Sequence, residues 1–305
     1  MAHLVAVLVV VVAMLAAGGA AAASASSGSV SADEAAASAA AIPPRDDTVN
    51  EPVYFLKGYL GVSSDAPGSD CLDGWRPARD LFKSEGWSGP LHMVGYYQGD
   101  VNCDVRIATG DKNLPIKELG KRLAWDIYNR YSKNGQSVDL IGHSMGGLVA
   151  RAALTGVEQK LADWPPYLYV EDAVTIVTPH DGLRLAYLCW PVERTQQCRD
   201  MRPGSDFLDW TGDNPQSTQG TDWTLIGSAD DLAVLGSAIG MEGADHRVMY
   251  YRGNGWKHAD INEKTTGTYE MQYRNEPGDG LWHYDADGAA PARVAMNAAH
   301  WARNW

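Results

Sequence analysis

Phenylalanine, cysteine and positive charge are all scarce in this sequence. Its 305 residues include 3 Phe and 4 Cys, against 11 Trp and 14 Tyr, and 25 Lys and Arg against 38 Asp and Glu. The formal net charge of −13 at pH 7 repels phosphate groups, so we expect no nucleic-acid partner and no anionic membrane surface as the main target. The abundant Trp and Tyr residues are most simply interpreted as core and rim residues.

Long apolar runs and N-terminal basic residues are also lacking. Residues 4–17 form an apolar run that is too short for a comfortable membrane span, and Ala- and Ser-rich sequence with several Ala-x-Ala sites follows it. We interpret residues 1–24 as a secretory signal peptide and 25–48 as a disordered linker, which leaves 49–305 as the folded domain. The chain is therefore predicted to be secreted, without a stable membrane anchor after cleavage. The missing Lys and Arg leave an uncleaved anchor or a misassigned start as alternatives.

The four cysteines lack the Cys-x-x-Cys spacing and the adjacent histidines of a zinc site. An even number of cysteines in an exported chain instead predicts two disulfides, for which three pairings exist. We favour Cys71 with Cys103 and Cys189 with Cys198, because the partners then lie in neighbouring loops of the predicted fold.

Short β-favouring runs alternate with helical patterns from residue 52 onward. Apolar residues recur three and four apart from Ile116 to Tyr131, which predicts a helix that covers a sheet, and Pro291 opens a terminal helix. We predict strands directly before Gly142 and at 52–56, 91–97, 173–177, 223–227 and 247–251, and take the last as the final strand. This alternation predicts an α/β fold with a doubly wound, mostly parallel sheet. The long segments 181–219 and 252–288 are predicted to form the rim of a binding cleft.

Residues 138–147 read Val-Asp-Leu-Ile-Gly-His-Ser-Met-Gly-Gly, an apolar strand followed by a glycine-flanked serine. Residues 148–154 after it are good helix formers, so the context indicates a nucleophile elbow, in which a serine projects from a strained strand-to-helix turn. Glycine is needed at 142 and 146 because a Cβ there would collide with the neighbouring turn. We therefore predict Ser144 as a nucleophile. A glycine-rich loop with an idle serine is the alternative.

A serine hydroxyl needs a histidine to take its proton and a carboxylate to orient that histidine. In folds with such an elbow the chain order is serine, acid, histidine. Asp231, after a late strand, is the preferred acid over the adjacent Asp230, although either one can instead cap a helix at Leu232. His258, in the glycine-rich loop after the strand at 247–251, is the preferred base.

The remaining histidines are assigned by position. The alternatives to His258 as the base are His246, His283 and His300, of which the last is expected on the terminal helix. A side chain at His143 points away from that of Ser144, so packing or support of the site is expected there. His92 and His180 are interpreted as structural histidines.

Attack on an ester carbonyl creates an oxyanion, which needs backbone N–H donors already in place. We predict Met145, directly after the nucleophile at a helix start, as one donor. The second donor is expected in the loop after the first strand, at Tyr59 in preference to Leu60. Gly58 lets the backbone approach the substrate there.

These motifs resemble those of the secreted bacterial lipases and esterases of the α/β-hydrolase superfamily. The elbow reads Gly-His-Ser-Met-Gly-Gly, residues 178–182 are similar to a Thr-Pro-His-x-Gly turn of those lipases, and Asp-Leu-Ala-Val at 231–234 resembles the segment that carries their acid. The resemblance extends over most of residues 52–304. It departs at Lys57, where the loop usually reads His-Gly, and in 185–222, where no residues match.

The resemblance implies an α/β-hydrolase fold in residues 49–305 and an exported serine carboxylic-ester hydrolase that acts on an acyl ester or lipid through an acyl-enzyme. The same triad supports thioesterase, amidase or acyltransferase chemistry. A rival from another class is a non-catalytic protein that binds a lipid or glycan on the same scaffold. We expect a monomer without a cofactor.

Some related lipases hold a structural Ca²⁺, and acidic residues near the C-terminus offer oxygen atoms for one. Asp279, Asp285 and Asp287 are the candidate ligands. Turn formation by Asp-Gly pairs explains these residues more simply, so a calcium ion is the minor alternative.

Overall fold

The computed structural model describes residues 42–45, 47–61, 66–183, 194–276, 278, 280–301 and 305. The predicted signal peptide and most of the predicted linker lie outside these residues. Within the described residues, nine strands form one sheet: β1 Val53–Leu56, β2 Leu91–Tyr97, β3 Val105–Gly110, β4 Val138–His143, β5 Val170–Ile176, β6 Asp222–Ser228, β7 His246–Tyr250, β8 Thr268–Asn275 and β9 His283–Ala289. The α-helices are α1 Arg76–Ser84, α2 Ile116–Arg130, α3 Met145–Glu158, α4 Gln196–Asp200, α5 Asp206–Trp210 and α6 Pro291–Trp301.

The sheet has the order β3-β2-β1-β4-β5-β6-β7-β8-β9, in which β1 to β7 are parallel and β8 and β9 antiparallel. Successive side chains of a strand point to opposite faces. Tyr54 and Leu56 accordingly lie in one apolar cluster with α2 and α3, and Val53 and Phe55 lie in a second cluster with α1 and α6. Helices therefore cover both faces, and the predicted doubly wound, mostly parallel sheet is confirmed.

Burial explains which strands the sequence revealed. All four residues of β1 and all seven of β5 are buried. Strands buried on both faces form continuous apolar runs, which are visible in a sequence. The carboxyl ends of these parallel strands meet along one edge of the sheet, which brings the loops after β1, β4, β6 and β7 together.

The prediction that 247–251 is the final strand was wrong, because the sheet continues through β8 and β9. β8 and all but the last residue of β9 fall within 252–288, the segment assigned to the rim of a cleft. Their residues are mostly half-buried or exposed, so they lack the apolar run of a central strand. Between β8 and β9 the register shifts, since Tyr269 pairs with Gly288 whereas Met271 pairs with Asp285. β3, in which only Val105 and Ala108 are buried, was also missed.

A disulfide joins Cys71 to Cys103, with an S–S distance of 2.04 Å. It connects the segment that precedes α1 to the loop between β2 and β3. Cys198 is also disulfide-bonded, and Cys189, its predicted partner, lies outside the described residues. Among the helices that the structure describes, none combines the length and the apolar character needed to cross a membrane.

Candidate active site

Ser144 lies on a sharp turn between β4 and α3. Its φ of 53° is in the left-handed region, which a residue with a Cβ adopts only under strain. A Cβ on Gly142 would lie 2.4 Å from the Gly147 nitrogen, and one on Gly146 would lie 2.1 Å from the carbonyl oxygen of Leu56. The two flanking glycines are therefore required by close backbone contacts. The turn has the geometry of the predicted nucleophile elbow.

Ser144, His258 and Asp231 form a continuous hydrogen-bonded chain. The Ser144 Oγ lies 2.8 Å from Nε2 of His258, and Nδ1 of His258 lies 2.5 Å from Oδ2 of Asp231. An ionised carboxylate only accepts hydrogen bonds, so the proton of neutral His258 is assigned to Nδ1. Nε2 then has a free lone pair that faces the serine hydroxyl. This arrangement allows His258 to remove the proton of Ser144.

The two adjacent carboxylates after β6 have different partners. Asp231 is 4% exposed, and its second oxygen accepts a hydrogen bond from the Ala233 N–H at 3.0 Å. Asp230 instead accepts hydrogen bonds from the backbone N–H groups of Gly253 at 3.0 Å and Gly255 at 2.8 Å. Burial opposes ionisation of Asp230, but these backbone donors together lower its pKa. Asp231 thus orients the imidazole, whereas Asp230 holds the loop that carries it.

His143 supports the same loop from the elbow. Its Nε2 lies 2.7 Å from the backbone carbonyl oxygen of His258, and a carbonyl can only accept, so Nε2 carries the proton. Burial, and secondarily the neighbouring His258, lower the pKa of His143 to about 3. His143 is therefore neutral at physiological pH and fixes the backbone of His258.

The other histidines have partners away from Ser144. His246, the first residue of β7, bonds Asp222 and Asn275 at 3.1 and 2.8 Å. The rings of His283 and His300 pack against Tyr273 and Trp87 respectively. His92 lies in β2 and contacts Tyr131. His180 lies 2.9 Å from the Thr175 hydroxyl, and burial holds its pKa well below the usual range.

The loop after β1 passes directly over the nucleophile. A Cβ on Gly58 would lie 3.1 Å from the Cβ of Ser144, so a side chain there would require its neighbours to shift by a few tenths of an ångström. Tyr59 follows Gly58 in the loop, and Met145 is the first residue of α3. The two residues predicted to donate to the oxyanion thus belong to segments that both adjoin Ser144.

Lys57 departs from the usual lipase pattern. Its side chain pairs with a carboxylate that follows β2. Its ammonium group forms an ion pair with Asp100 and donates to the Ser69 hydroxyl at 2.9 Å. The Asp100 carboxylate also accepts from the backbone N–H groups of Tyr96 and Tyr97, each at 2.8 Å. Sequence reasoning missed Asp100, because an aspartate after a glycine is typical of an ordinary turn.

Among the described residues, two separate groups each contain three side chains that could bind a metal ion. In the first, Cys71 and Cys103 are joined by a disulfide and Asp100 pairs with Lys57. The second consists of Asp47 together with Glu171 and Asp172, which lie at the start of β5. In this group Asp172 pairs with Arg45 at 3.0 Å. The calcium candidates Asp285 and Asp287 lie on β9, and Asp279 lies outside the described residues.

The sheet order and the elbow after β4 are those of an α/β-hydrolase fold. A family model described as a PGAP1-like alpha/beta domain matches residues 96–187. No curated protein matches the sequence significantly.

Several solved structures are similar to this chain at low identity. The mature form of a Bacillus licheniformis lipase is 20% identical, with a TM-score of 0.39, over 65% of this chain and 73% of that chain. Aspergillus fumigatus lipase B is 13% identical, with a TM-score of 0.47, over 72% of this chain and 52% of that chain. Legionella pneumophila phospholipase PlaB is 13% identical, with a TM-score of 0.38, over 59% of this chain and 38% of that chain. The chain therefore spans about half or less of the latter two proteins.

Proposed function

We propose that this protein is an exported serine carboxylic-ester hydrolase of the lipase or esterase type. The observation that carries the proposal is the chain Ser144–His258–Asp231, with contacts of 2.8 and 2.5 Å, on a strained elbow. A serine on an unfavourable backbone angle with a correctly protonated imidazole beside it fits nucleophilic catalysis. The proposal of export rests on the N-terminal sequence pattern, and the Cys71–Cys103 disulfide is compatible with it.

The proposed reaction begins when the Ser144 Oγ attacks the ester carbonyl carbon and His258 Nε2 accepts the hydroxyl proton. Asp231 stabilises the resulting imidazolium, and the N–H groups of Met145 and Tyr59 bind the oxyanion. Collapse of the tetrahedral intermediate breaks the bond to the alcohol, which leaves with the proton from His258. His258 then removes a proton from water, which attacks the acyl carbon. As the bond between this carbon and Ser144 Oγ breaks, His258 returns the proton to Oγ, which releases the carboxylic acid and free Ser144.

A non-catalytic binding protein accounts for this geometry less well. Such a protein has no use for a hydroxyl, an imidazole and a carboxylate in hydrogen-bonded sequence, nor for backbone strain at Ser144. Acyl transfer and thioester hydrolysis use the same residues and differ only in the acceptor or the leaving group.

Reaction with a fluorophosphonate tests the proposed nucleophile directly. We expect one covalent adduct per chain, located on the peptide that contains Ser144, together with turnover of p-nitrophenyl esters. The dependence of kcat/KM on acyl length from two to sixteen carbons distinguishes an esterase from a lipase. Absence of both labelling and turnover in the folded protein would instead favour the binding protein.

Replacement of His143 tests its support of the base. We expect His143→Leu to lower kcat for ester hydrolysis by about ten- to a hundredfold with little change in KM, since one buried hydrogen bond to the loop is lost. His143→Gln retains a side-chain N–H donor, so it should recover much of that loss. Equal activity of the two variants would show that the hydrogen bond is unimportant.

The same pair of variants reports on acid stability. The unfolded chain protonates His143 near pH 6.5, whereas the folded protein resists protonation to about pH 3. The stability contributed by the neutral ring is therefore complete above pH 6.5 and is lost as the pH falls towards 3. Urea unfolding of His143→Gln should depend less steeply on pH over this range than unfolding of the wild type.

A further inference from the structure

A cavity of about 400 Å³ adjoins the candidate active site. One wall is the loop after β1 from Lys57 to Leu60, and the others are formed within residues 69–75 and 259–263. His143 also lines the cavity, and Ala259 directly follows His258. The cavity therefore lies beside the elbow and beside the loop that carries His258.

The lining of the cavity is negatively charged, although Arg76 lies close enough to Asp70 to favour its ionised form. Asp70, Asp73 and Glu263 line it, and within the described part of the chain none of the three forms an ion pair. Lys57 is the basic residue in the lining, and its ammonium group is already paired with Asp100. Hydrogen bonds from Asn102 and from backbone N–H groups lower the pKa of Asp70, so its charge persists.

An unpartnered acceptor belongs to the same wall. Asn262 is 3% exposed, and its Nδ2 donates to the Gly74 carbonyl oxygen at 2.6 Å. Its Oδ1 has no hydrogen-bond donor among the residues that the structure describes. A buried acceptor is normally paired, and a ligand N–H group is the complement that this wall lacks. Tyr59 and Trp75 also line the cavity, but Lys112 Nζ already lies 5.5 Å from the centre of the Tyr59 ring and Trp75 is only 2% exposed. The carboxylates therefore carry the preference for a cation.

We propose that this cavity binds a positively charged amino group of the substrate. The inference rests on the proposed ester hydrolysis and specifies its substrate class as acyl esters that carry a cation on the alcohol or the acyl side. An anionic group in the same position is disfavoured, because three acidic residues line the cavity.

Paired substrates of equal shape and different charge test the inference. On the alcohol side we would compare butyrylcholine with 3,3-dimethylbutyl butyrate, and on the acyl side methyl 6-aminohexanoate with methyl heptanoate. We expect the cationic member of at least one pair to have a kcat/KM about tenfold higher at low salt, and this preference to decrease at 0.5 M NaCl. The pair that shows the preference identifies the side of the ester that enters the cavity.

The double variant Asp73→Asn/Glu263→Gln should reduce the preference severalfold and retain hydrolysis of the neutral esters. Asp209→Asn/Glu242→Gln makes the same change in net charge at exposed positions that do not line the cavity, so it should keep the preference. Equal loss in both double variants would assign the effect to the overall charge of −13 and overturn the inference. Hydrolysis of neutral esters without any preference for a cation would also overturn it. Absence of turnover with every ester would contradict the proposed function itself.

Discussion

Replacement of Ser144 by alanine is expected to lower kcat for ester hydrolysis by about 10⁴ to 10⁶, with KM nearly unchanged. Alanine removes the Oγ that lies 2.8 Å from His258 Nε2 and leaves no atom that can form an acyl-enzyme. The decrease should be of this size for every ester, and fluorophosphonate labelling should be abolished. Steady-state kinetics and intact mass measure the two effects independently.

Folding is the control for this variant. Alanine retains the Cβ, so the backbone strain at a φ of 53° is the same in both proteins, and the thermal midpoint should change by only a few degrees. Activity above about 1% of wild type in a folded Ser144→Ala protein would exclude Ser144 as the nucleophile.

Replacement of Asp231 by asparagine should lower kcat by about 10⁴, the size of effect expected when the orienting carboxylate of such a triad is neutralised. An amide N–H directed at His258 Nδ1 stabilises the tautomer with the proton on Nε2. That nitrogen then cannot accept the proton of Ser144, although the geometry is otherwise retained. Labelling by the fluorophosphonate should slow in parallel with turnover.

Asp230→Asn is a matched control, because it makes the same chemical change one residue earlier. Asp230 bonds the backbone of Gly253 and Gly255 and not the imidazole, so we expect less than a tenfold decrease in kcat. Its effect should appear as faster amide exchange in the loop from 252 to 258. If Asp230→Asn caused the larger loss of kcat, the orienting acid would be Asp230.

The central strands and the positions of the reactive residues could be predicted because they follow local patterns. Apolar runs mark the buried strands, and the glycines around Ser144 mark the elbow. Chain order then suggested Asp231 and His258, which the structure places in one hydrogen-bonded chain with Ser144. Their catalytic roles remain predictions that the variants above test.

Support from His143 was expected, but the contacts that support the site were not visible in the sequence, because they join residues that are distant in the chain. Lys57 and Asp100 meet only once β1 and β2 lie side by side, and the bond from His143 to the backbone of His258 spans 115 residues. Every residue has a backbone carbonyl group, so the residue type does not reveal which carbonyl accepts a hydrogen bond. The hairpin of β8 and β9 was missed for a different reason, since half-exposed strands at the end of a sheet resemble polar loops.

The irregular register of β9 has a consequence for how the protein behaves at high concentration. A terminal strand presents unpaired backbone groups on which a second molecule can add its own strand. Here the extra residue of the register shift falls between Asp285 and Gly288, which is a β-bulge that interrupts a straight row of such groups. Two copies joined antiparallel about Ala286 would also place Asp285 of each against Asp287 of the other. While these carboxylates are ionised, shape and charge together protect this edge against aggregation.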